Sequence, residues 1–342
     1  MTPTRCAGRG RWVTGGAVAF LGVSAALTTA LWSAGDRWWP ATLLMFGPRW
    51  WLAVPAVAGL AVAAAARSRA ATAAAAVALV VVLVPFTGLT VAGPLGAAGR
   101  GLQGLVRPEP PAGYRLRVVS WNMAARRPGP EFARFLQETD PAVVVCQEAD
   151  VTAADFPAGW GVVRVSSNCV ASPLPTRLAS SLNFYDLGVG GRLDRFVVET
   201  PPGDLDLIDV HLPTVRPGLE VALGTKFRDV SELRRVIGLR VLASSRARAW
   251  VGPGRRGVIA AGDFNTPVES RLFRDDWADF GNAFSTEGVG WGTTKQTSWF
   301  GVRIDHVLFT PPWVCRGAWV GPAMGSDHRP VVADFTHEGG AP

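Results

Sequence analysis

The sequence predicts an α/β domain preceded by a membrane region. Three long uncharged runs lie within the first hundred residues. Beyond them, short apolar runs that end in polar residues alternate with segments whose apolar residues recur every three or four positions. Such alternation is typical of buried strands and amphipathic helices packed in layers.

Charge separates the two parts of the chain. Through Arg107 there are nine arginines and one acid, whereas residues 108–342 hold 25 basic and 26 acidic residues. The pI of about 10 therefore belongs to the N-terminal third. It does not indicate a nucleic-acid-binding surface on the domain that follows.

The membrane region, residues 1–99, is predicted to contain three spans, at 12–35, 50–66 and 70–99. A helix needs about 20 apolar residues to cross a hydrocarbon core of ~30 Å. A signal peptide is the alternative for the first run, but two further apolar runs follow it. A soluble helical hairpin is the alternative for 56–79, which shows no polar face. Tryptophans cluster where interfacial anchors are expected, at Trp38, Trp39, Trp50 and Trp51.

The arginines of the short loops predict the orientation. Three precede the first run and two lie at 67–69, while two in the 36–49 loop are offset by Asp36. The positive-inside tendency then places the N-terminus in the cytoplasm and the catalytic domain outside it, in a multi-pass cell-membrane protein. The opposite orientation would favour a nucleotide or phosphoinositide substrate. The Gly- and Pro-rich residues 100–113 are predicted to form a linker.

Polar side chains follow several predicted strands of the domain, residues 114–337. The runs and the residues after them are 116–121 with Asn122, 142–146 with Glu148, 205–210 with His211, and 258–260 with Asp263 and Asn265. Each has an ordinary structural interpretation, because such residues also form or cap turns. Yet three of the four histidines stand at a strand end or beside a carboxylate, which favours chemistry: His211, His306 and His328.

Two helices are predicted between these strands. One covers 131–138, with Phe132, Phe135 and Leu136 on one face. The other covers 228–250, with apolar residues at Val230, Leu233, Ile237 and Val241. Its arginines are expected to form a solvated face rather than a phosphate-binding patch. Further strands are expected near 162–165, 193–200, 303–309 and 331–335.

The segment 266–300 is rich in loop-forming residues. It is expected either to shape the substrate site or to form an ordinary surface loop. Its aromatic residues are expected to be exposed: Trp291, Trp299 and Phe300.

The four cysteines have no CxxC spacing, so a thiolate metal site is not expected. Cys146 lies in an apolar strand and is predicted to be a small buried hydrophobe. A disulfide between Cys169 and Cys315 in an oxidising compartment is left open by the sequence.

The strand-end groups have the donor chemistry of a metal-dependent hydrolase. Oxygen ligands such as Glu148 and Asp327 suit Mg²⁺, which takes one or two carboxylates, keeps waters and binds a substrate phosphate. His328 with Asp305 fits a general base whose carboxylate orients the imidazole. The remaining amide and imidazole donors would hold phosphate oxygens.

The chain resembles the endonuclease/exonuclease/phosphatase superfamily, which includes deoxyribonuclease I-like nucleases, neutral sphingomyelinases and inositol-polyphosphate phosphatases. Six motifs occur in the family's order over 115–336: Trp121-Asn122, Gln147-Glu148, Val210-His211-Leu212, Gly262-Asp263-Phe264-Asn265, Arg303-Ile304-Asp305-His306 and Ser326-Asp327-His328-Arg329-Pro330. The resemblance implies a four-layer α/β sandwich with two packed central sheets. It also implies a phosphoesterase dependent on Mg²⁺ or Mn²⁺.

The resemblance also implies roles for single residues. Glu148 would be the main metal ligand, with Asn122 nearby and Asp327 contributing. His328 would activate water and be oriented by Asp305. Asp263 and Asn265 would position the nucleophile and the phosphate, and His211 would contact the phosphate or assist the leaving group. His306 would be structural. The chain departs from the family at 171–177, where members often carry a strand ending in Ser-Arg, so substrate recognition from this region is in doubt.

The function expected from the sequence is a membrane-anchored phosphoesterase, with a phospholipid or another membrane-associated phosphoester favoured as substrate. The nearly neutral domain argues against tight non-specific DNA binding. An extracytoplasmic nuclease is the alternative, and a catalytically inactive membrane scaffold is a second one. A transporter would need ionisable groups inside the spans, and the three runs have none. No protein partner is evident.

Overall fold

The computed structural model describes residues 4–92 and 114–338. These fall into two compact units, one comprising residues up to Leu89 with Glu269–Arg271, the other comprising the remainder from Thr90 onward. The predicted linker, 100–113, and the end of the third predicted span lie outside the described residues.

The N-terminal unit is helical. Its elements are α1 (Thr4–Ala34), α2 (Trp39–Phe46), a 3₁₀ turn (Arg49–Leu52), α3 (Ala53–Ala65) and α4 (Arg69–Val81), which continues as a π-helical turn (Val82–Phe86). Two helices, Gly10–Ala34 and Arg69–Phe86, are long and apolar enough to cross a membrane. The pair Trp39–Phe46 and Arg49–Ala65 would be a third span if counted as one, but it bends by 85°. The number of spans therefore stays a prediction.

The apolar helices end at two points, one inside the loop predicted at 36–49 and one inside the third predicted span, 70–99. The middle region is broken at Gly47-Pro48, where extended Gly47 ends α2, because the residue before a proline disfavours the helical conformation. The last apolar helix ends at Phe86 rather than continuing to residue 99. Gly88 there has a left-handed φ of 78°, which terminates helices readily, and Thr90–Val91 is already a strand.

The second unit contains two six-stranded mixed sheets within the part of the chain that the structure describes. The first has the order β15-β16-β2-β3-β5-β4, formed by Trp313–Val320, Val331–His337, Arg115–Asn122, Val143–Gln147, Asn168–Ser172 and Gly161–Val165. The second has the order β10-β14-β9-β8-β7-β6, formed by Gly281–Asn282, Asp305–Phe309, Val258–Asp263, Gly203–His211, Arg192–Thr200 and Thr176–Asn183. Two short ladders pair β1 (Thr90–Val91) with β11 (Val289–Gly290) and β12 (Lys295–Gln296) with β13 (Gly301–Val302).

Helices cover the outer faces of both sheets. The outer helices are α5 (Pro130–Thr139), α6 (Arg216–Gly224), α7 (Ser231–Val251) and α8 (Arg271–Trp277), with 3₁₀ turns at Ala153–Asp155 and Tyr185–Leu187. The short helix α9 (Ala283–Glu287) instead buries Ala283 and Phe284 in the core between the sheets. Side-chain alternation along each strand separates the layers. Leu116 and Val118 of β2 face the inter-sheet core, whereas Val119 and Trp121 pack with Phe132 of α5. On the other sheet, Val258 and Ala260 pack with residues of α7. Two mixed central sheets flanked by helices confirm the predicted α/β sandwich.

Each sheet has one parallel pair at its centre, β2–β3 in the first and β8–β9 in the second. The carboxyl ends of parallel strands meet at one edge. The neighbours β16 and β14 run antiparallel, so their amino ends reach the same edge. Asp263 is thereby flanked in register by His211 on one side and Asp305 on the other. The polar strand ends are thus brought together by topology.

A glycine is required where β8 and β9 approach. Gly262 has a φ of 151°, and a Cβ built there would lie 1.9 Å from the Val210 carbonyl oxygen. Only glycine combines that conformation with that contact. It allows Asp263 to follow directly while β9 stays paired with β8.

The three cysteines that are described in full are free and buried. Cys169 lies opposite Cys146 on β5 and β3, whereas Cys315 lies on β15, four strands from β5 in the same sheet. The disulfide left open for Cys169 and Cys315 is therefore not formed. Burial as a small hydrophobe is confirmed for Cys146.

Candidate active site

Asn122 joins the two sheets at the shared edge. Its Nδ2 donates to Glu148 Oε1 at 3.0 Å and to Asp263 Oδ2 at 2.9 Å. Glu148 follows β3 in a left-handed conformation with φ of 46°. Its backbone carbonyl accepts from Ala125 N at 2.8 Å. One amide thus lies between a carboxylate of each sheet.

His211 lies beside this group at the end of β8. Its Nε2 is 3.5 Å from Glu148 Oε1. Ligand atoms of Glu148, His211 and Asp263 all lie within 4.8 Å of one another. The sequence predicted Glu148 and Asn122 for the metal and gave Asp263 a positioning role. The structure places Asp263 in the same group as Glu148 and His211.

His328 and Asp305 form the predicted pair. The imidazole Nδ1 is 2.9 Å from Asp305 Oδ2, and both residues are buried. On its other side, Nε2 is 3.8 Å from Asp263 Oδ2. An N–H on Nδ1 that donates to Asp305 leaves Nε2 facing Asp263.

Hydrogen bonds from three side chains fix the backbone of His328 and Asp305. Trp121 Nε1 donates to the His328 carbonyl at 3.0 Å. The His328 amide donates to Ser326 Oγ at 3.0 Å, and this hydroxyl donates to the Asn122 carbonyl at 2.8 Å. The Asp305 amide donates to Thr294 Oγ1 at 3.1 Å. Fixed partners of this kind keep a general base in one orientation.

Electrostatics favours the imidazolium form of His328. Burial alone would lower its pKa, but the carboxylates of Asp305 and Asp263 outweigh burial and raise the pKa to about 9. Burial and the charge of Asp305 in turn raise the pKa of Asp263. The carboxyl groups of Asp305 and Asp263 therefore both stabilise the imidazolium form of His328.

Asn265 is held at both strand exits, by the Asp263 carboxylate on one side and by the Leu212 carbonyl on the other. Its amide N donates to Asp263 Oδ1 at 2.8 Å and its Nδ2 donates to the Leu212 carbonyl at 2.8 Å. It is buried and left-handed, with φ of 50°. The structure thus places Asn265 beside Asp263 and joins it to the segment that follows His211.

Asp327 is paired with a residue that the sequence did not identify as part of the site. Its carboxylate accepts from Lys295 Nζ, and it is only half-buried. Burial would raise its pKa, but the hydrogen bond and charge of Lys295 lower it. Asp327 lies 4.0 Å from His328 Nε2. Its predicted metal role stays a prediction.

Lys295 had no sequence signal beyond being one of two lysines, because it lies in an irregular region. The structure pairs it with His328 through an isolated bridge between β12 and the segment before β16. Trp299, at the tip of the hairpin formed by β12 and β13, is 83% exposed, as expected, and Trp291 is also exposed. Phe300 is only half-exposed.

His306 points to the opposite face of β14. Its Nε2 is 2.9 Å from the Thr266 carbonyl, and its ring packs against Phe264 and Phe273. This buried position agrees with the structural role expected for it.

A second polar pair lies between the sheets beneath the site. Gln147 Nε2 donates to Asp209 Oδ1 at 2.8 Å, and neither residue is exposed to solvent. Burial raises the pKa of Asp209 well above its usual range. Strand alternation could have placed Asp209 on the face of His211, but its partner on the other sheet had no local signal.

The donor set fits a divalent cation. Carboxylate oxygens from Glu148 and Asp263, an adjacent amide from Asn122 and an imidazole from His211 suit a hard or borderline ion. A second group with ligand atoms within 4.8 Å contains Asp263, Asp305 and His328. Because His328 already bonds to Asp305, the group around Glu148 fits the ion better.

Comparisons with known proteins gave one family match and several similar solved structures. The model of the Endonuclease/Exonuclease/phosphatase family matches residues 119–328, more than half of the chain. Similar solved structures include D. rerio TDP2 complexed with a single-strand DNA product, at 16% identity and TM-score 0.48, covering 65% of this chain and 99% of that one. Another is the endonuclease/exonuclease/phosphatase from Beutenbergia cavernae, at 17% identity and TM-score 0.43, covering 67% of this chain and 72% of that one. A third is a 3′ phosphatase from Neisseria bound to a product DNA hairpin, at 18% identity and TM-score 0.45, covering 64% of this chain and 99% of that one. No curated protein sequence matches the chain.

Proposed function

The chain belongs to the endonuclease/exonuclease/phosphatase family, and from this premise we propose that it is a membrane-anchored, divalent-metal-dependent phosphoesterase. The observation that carries the proposal is that a histidine–carboxylate pair and a cluster of possible metal ligands meet at the edge shared by the two sheets. His328 bonds to Asp305, and Asn122 bridges Glu148 and Asp263. Asp263 links the groups, because its Oδ2 is 3.8 Å from His328 Nε2.

In the proposed mechanism, His328 accepts a proton from the attacking water at Nε2. Asp305 holds the Nδ1 proton and stabilises the imidazolium that results. Glu148, Asp263, Asn122 and His211 would hold a Mg²⁺ or Mn²⁺ ion, which when bound would neutralise phosphate charge and act as a Lewis acid. His211 and Asn265 would orient the phosphate oxygens relative to His328.

A membrane-associated phosphoester is the substrate class that we favour. The support is the exposed Trp299 on a hairpin whose Lys295 bonds to Asp327, next to His328. An exposed tryptophan suits an interface between water and lipid. The two apolar helices of the N-terminal unit support anchoring of the chain. We further propose that the catalytic domain lies outside the cytoplasm.

A nuclease is the second candidate for the same chemistry. Arg216 favours it, because this exposed arginine begins α6 only five residues after His211 in the chain. A basic group this close to the site suits a polyanionic backbone. The scaffold alternative is disfavoured, because it predicts loss of the base or of a metal ligand, and the sequence retains His328, Asp305 and Glu148.

The test compares full-length protein in nanodiscs with its His328→Ala variant, in Mg²⁺ or Mn²⁺. Phospholipid vesicles and plasmid DNA are offered in parallel. We expect wild type to hydrolyse the vesicle lipid and the variant to lose ~100-fold or more of that rate, the range for losing a general base. Cleavage of DNA alone would instead select the nuclease.

His337→Ala is the matched control, because this histidine packs against Trp313 near the end of β16. It should retain the wild-type rate. Equal rates for His328→Ala and wild type would contradict the mechanism. Inert wild type that still binds Mn²⁺ would exclude both substrate classes.

A further inference from the structure

Arg240 is a buried charge in the helix layer of the second sheet. It lies on α7 with only 2% of its surface exposed. Its guanidinium donates to the Pro213 carbonyl at 3.1 Å, the Asn265 carbonyl at 2.6 Å and Thr266 Oγ1 at 2.9 Å. This position differs from the solvated arginine face expected for the helix.

These acceptors belong to the exits of β8 and β9, the parallel pair that carries His211 and Asp263. The exits also contact each other, since Asn265 Nδ2 donates to the Leu212 carbonyl at 2.8 Å. The planar guanidinium therefore binds both exits at once, a geometry that its fork of donors allows. Without it, the carbonyls of Pro213 and Asn265 would lose a buried donor.

Anchoring α7 does not by itself require a charge at this position. One turn further along the same face, Ser244 Oγ bonds to Asp276 Oδ2 at 2.5 Å and is as buried. Arg248, near the helix end, pairs with Asp279 and lies over the Phe280 ring. Burying a charge is costly unless it is well bonded, and Arg240 is bonded to the segments beside the site.

We propose that Arg240 is a positioning residue that fixes the relative placement of His211, Asp263 and Asn265. It lies behind the strand exits and acts through their backbone rather than on a substrate. The inference rests on the proposed phosphoesterase activity, because its consequence is the alignment of groups for that reaction. A misplacement of about 1 Å in such a group can lower a rate ~100-fold.

The experiment uses full-length protein with Arg240→Lys and Arg240→Met, and Ser244→Ala as a control on the same helix face. We measure kcat and KM for bis(4-nitrophenyl) phosphate with Mn²⁺, the Tm, and amide hydrogen exchange at the two exits, of Leu212 and Thr214 after β8 and of residues 264–266 after β9. We expect kcat to fall ~100-fold in Arg240→Met with KM changed less than about threefold. Lysine, which offers a point charge instead of a fork, should restore only part of kcat.

Ser244→Ala should lower the Tm without lowering kcat or raising exchange at the two exits. Faster exchange at both exits and a fall in kcat confined to the Arg240 variants would support the inference. It would be overturned if Arg240→Met and Ser244→Ala lost activity in proportion to Tm, or if exchange at the exits were unchanged. Wild type inert on this phosphodiester would count against the proposed function, while the exchange comparison would still decide whether Arg240 holds the exits.

Discussion

At the scale of single residues, the protonation of His328 is the main electrostatic feature of the site. A general base must be neutral to accept a proton, yet Asp305 and Asp263 overcome the effect of burial and raise the His328 pKa to about 9. The same carboxylate that orients the imidazole thus also delays its deprotonation as pH rises. Orientation and basicity are coupled through Asp305.

We therefore predict a rate that rises with pH as His328 loses its proton, with the rising limb displaced above the ordinary histidine range by the charge of Asp305. Asp305→Asn removes one stabilising carboxylate, so the rising limb should move to lower pH while the maximal rate falls. The measurement is kcat for bis(4-nitrophenyl) phosphate across the pH range in which saturating Mg²⁺ stays soluble, from pH 5 upward. Asp334→Asn, in the pair with Arg117, is the control and should leave the limb in place. An Asp305→Asn profile that coincides with wild type would show that His328 does not set the limb.

At the scale of elements, the bond from Gln147 to Asp209 links β3 of one sheet to β8 of the other. Glu148 follows Gln147 in the chain, and His211 lies two residues after Asp209 on the same strand face. The bond therefore lies directly beneath the contact between Glu148 and His211. The distance between Glu148 and His211 therefore depends on the distance between the two sheets, which this bond holds.

Two substitutions of Asp209 should differ in their effect on the free energy of unfolding. Because burial raises the pKa of Asp209 well above its usual range, the neutral acid is favoured, and Asp209→Asn keeps both its size and an acceptor for Gln147. We expect little change in stability for Asn. Asp209→Leu leaves the Gln147 donor buried without its partner, which costs roughly 1–3 kcal/mol.

Thermal unfolding of the full-length protein, with both variants in the same detergent, measures this difference. Mn²⁺ affinity by calorimetry should weaken in Asp209→Leu as Glu148 and His211 separate. Equal Tm values for the two variants would show that the cross-sheet bond contributes nothing.

At the scale of the whole molecule, the orientation of the chain in the membrane is the main prediction. The argument rests on arginines at the N-terminus and at 67–69, against the 36–49 loop in which Asp36 offsets two arginines. An extracytoplasmic domain would meet lipid head groups and extracellular nucleic acid rather than cytoplasmic nucleotides.

Alkaline phosphatase fused after the C-terminus or within 37–48 should be active, because the enzyme matures only outside the cytoplasm. A fusion at Ser68 should be inactive. The reverse pattern would place the domain in the cytoplasm and favour a nucleotide or phosphoinositide substrate.

The sequence by itself predicted many elements of the domain, though not β5, β6, β15 or α6, and it predicted most of the chemical groups of the candidate site. Strand and helix periods are local properties, so β3, α5 and β9 could be predicted from a few neighbouring residues. The helix Pro130–Thr139 buries Phe132, Phe135 and Leu136, the face expected from their spacing. His328 and Asp305 were likewise identified from their strand-end positions and motifs.

Only the tertiary structure decided which of these groups meet. The parallel pairing of β8 with β9 placed Asp263 beside His211, and sheet packing placed it beside Asn122. Asp327 bonds to Lys295, a partner that the sequence did not predict, and Arg240, expected in solvent, is buried against two strand exits. These partners lie tens of residues apart in the chain. Their meeting depends on strand order and register, which no local pattern of side chains encodes.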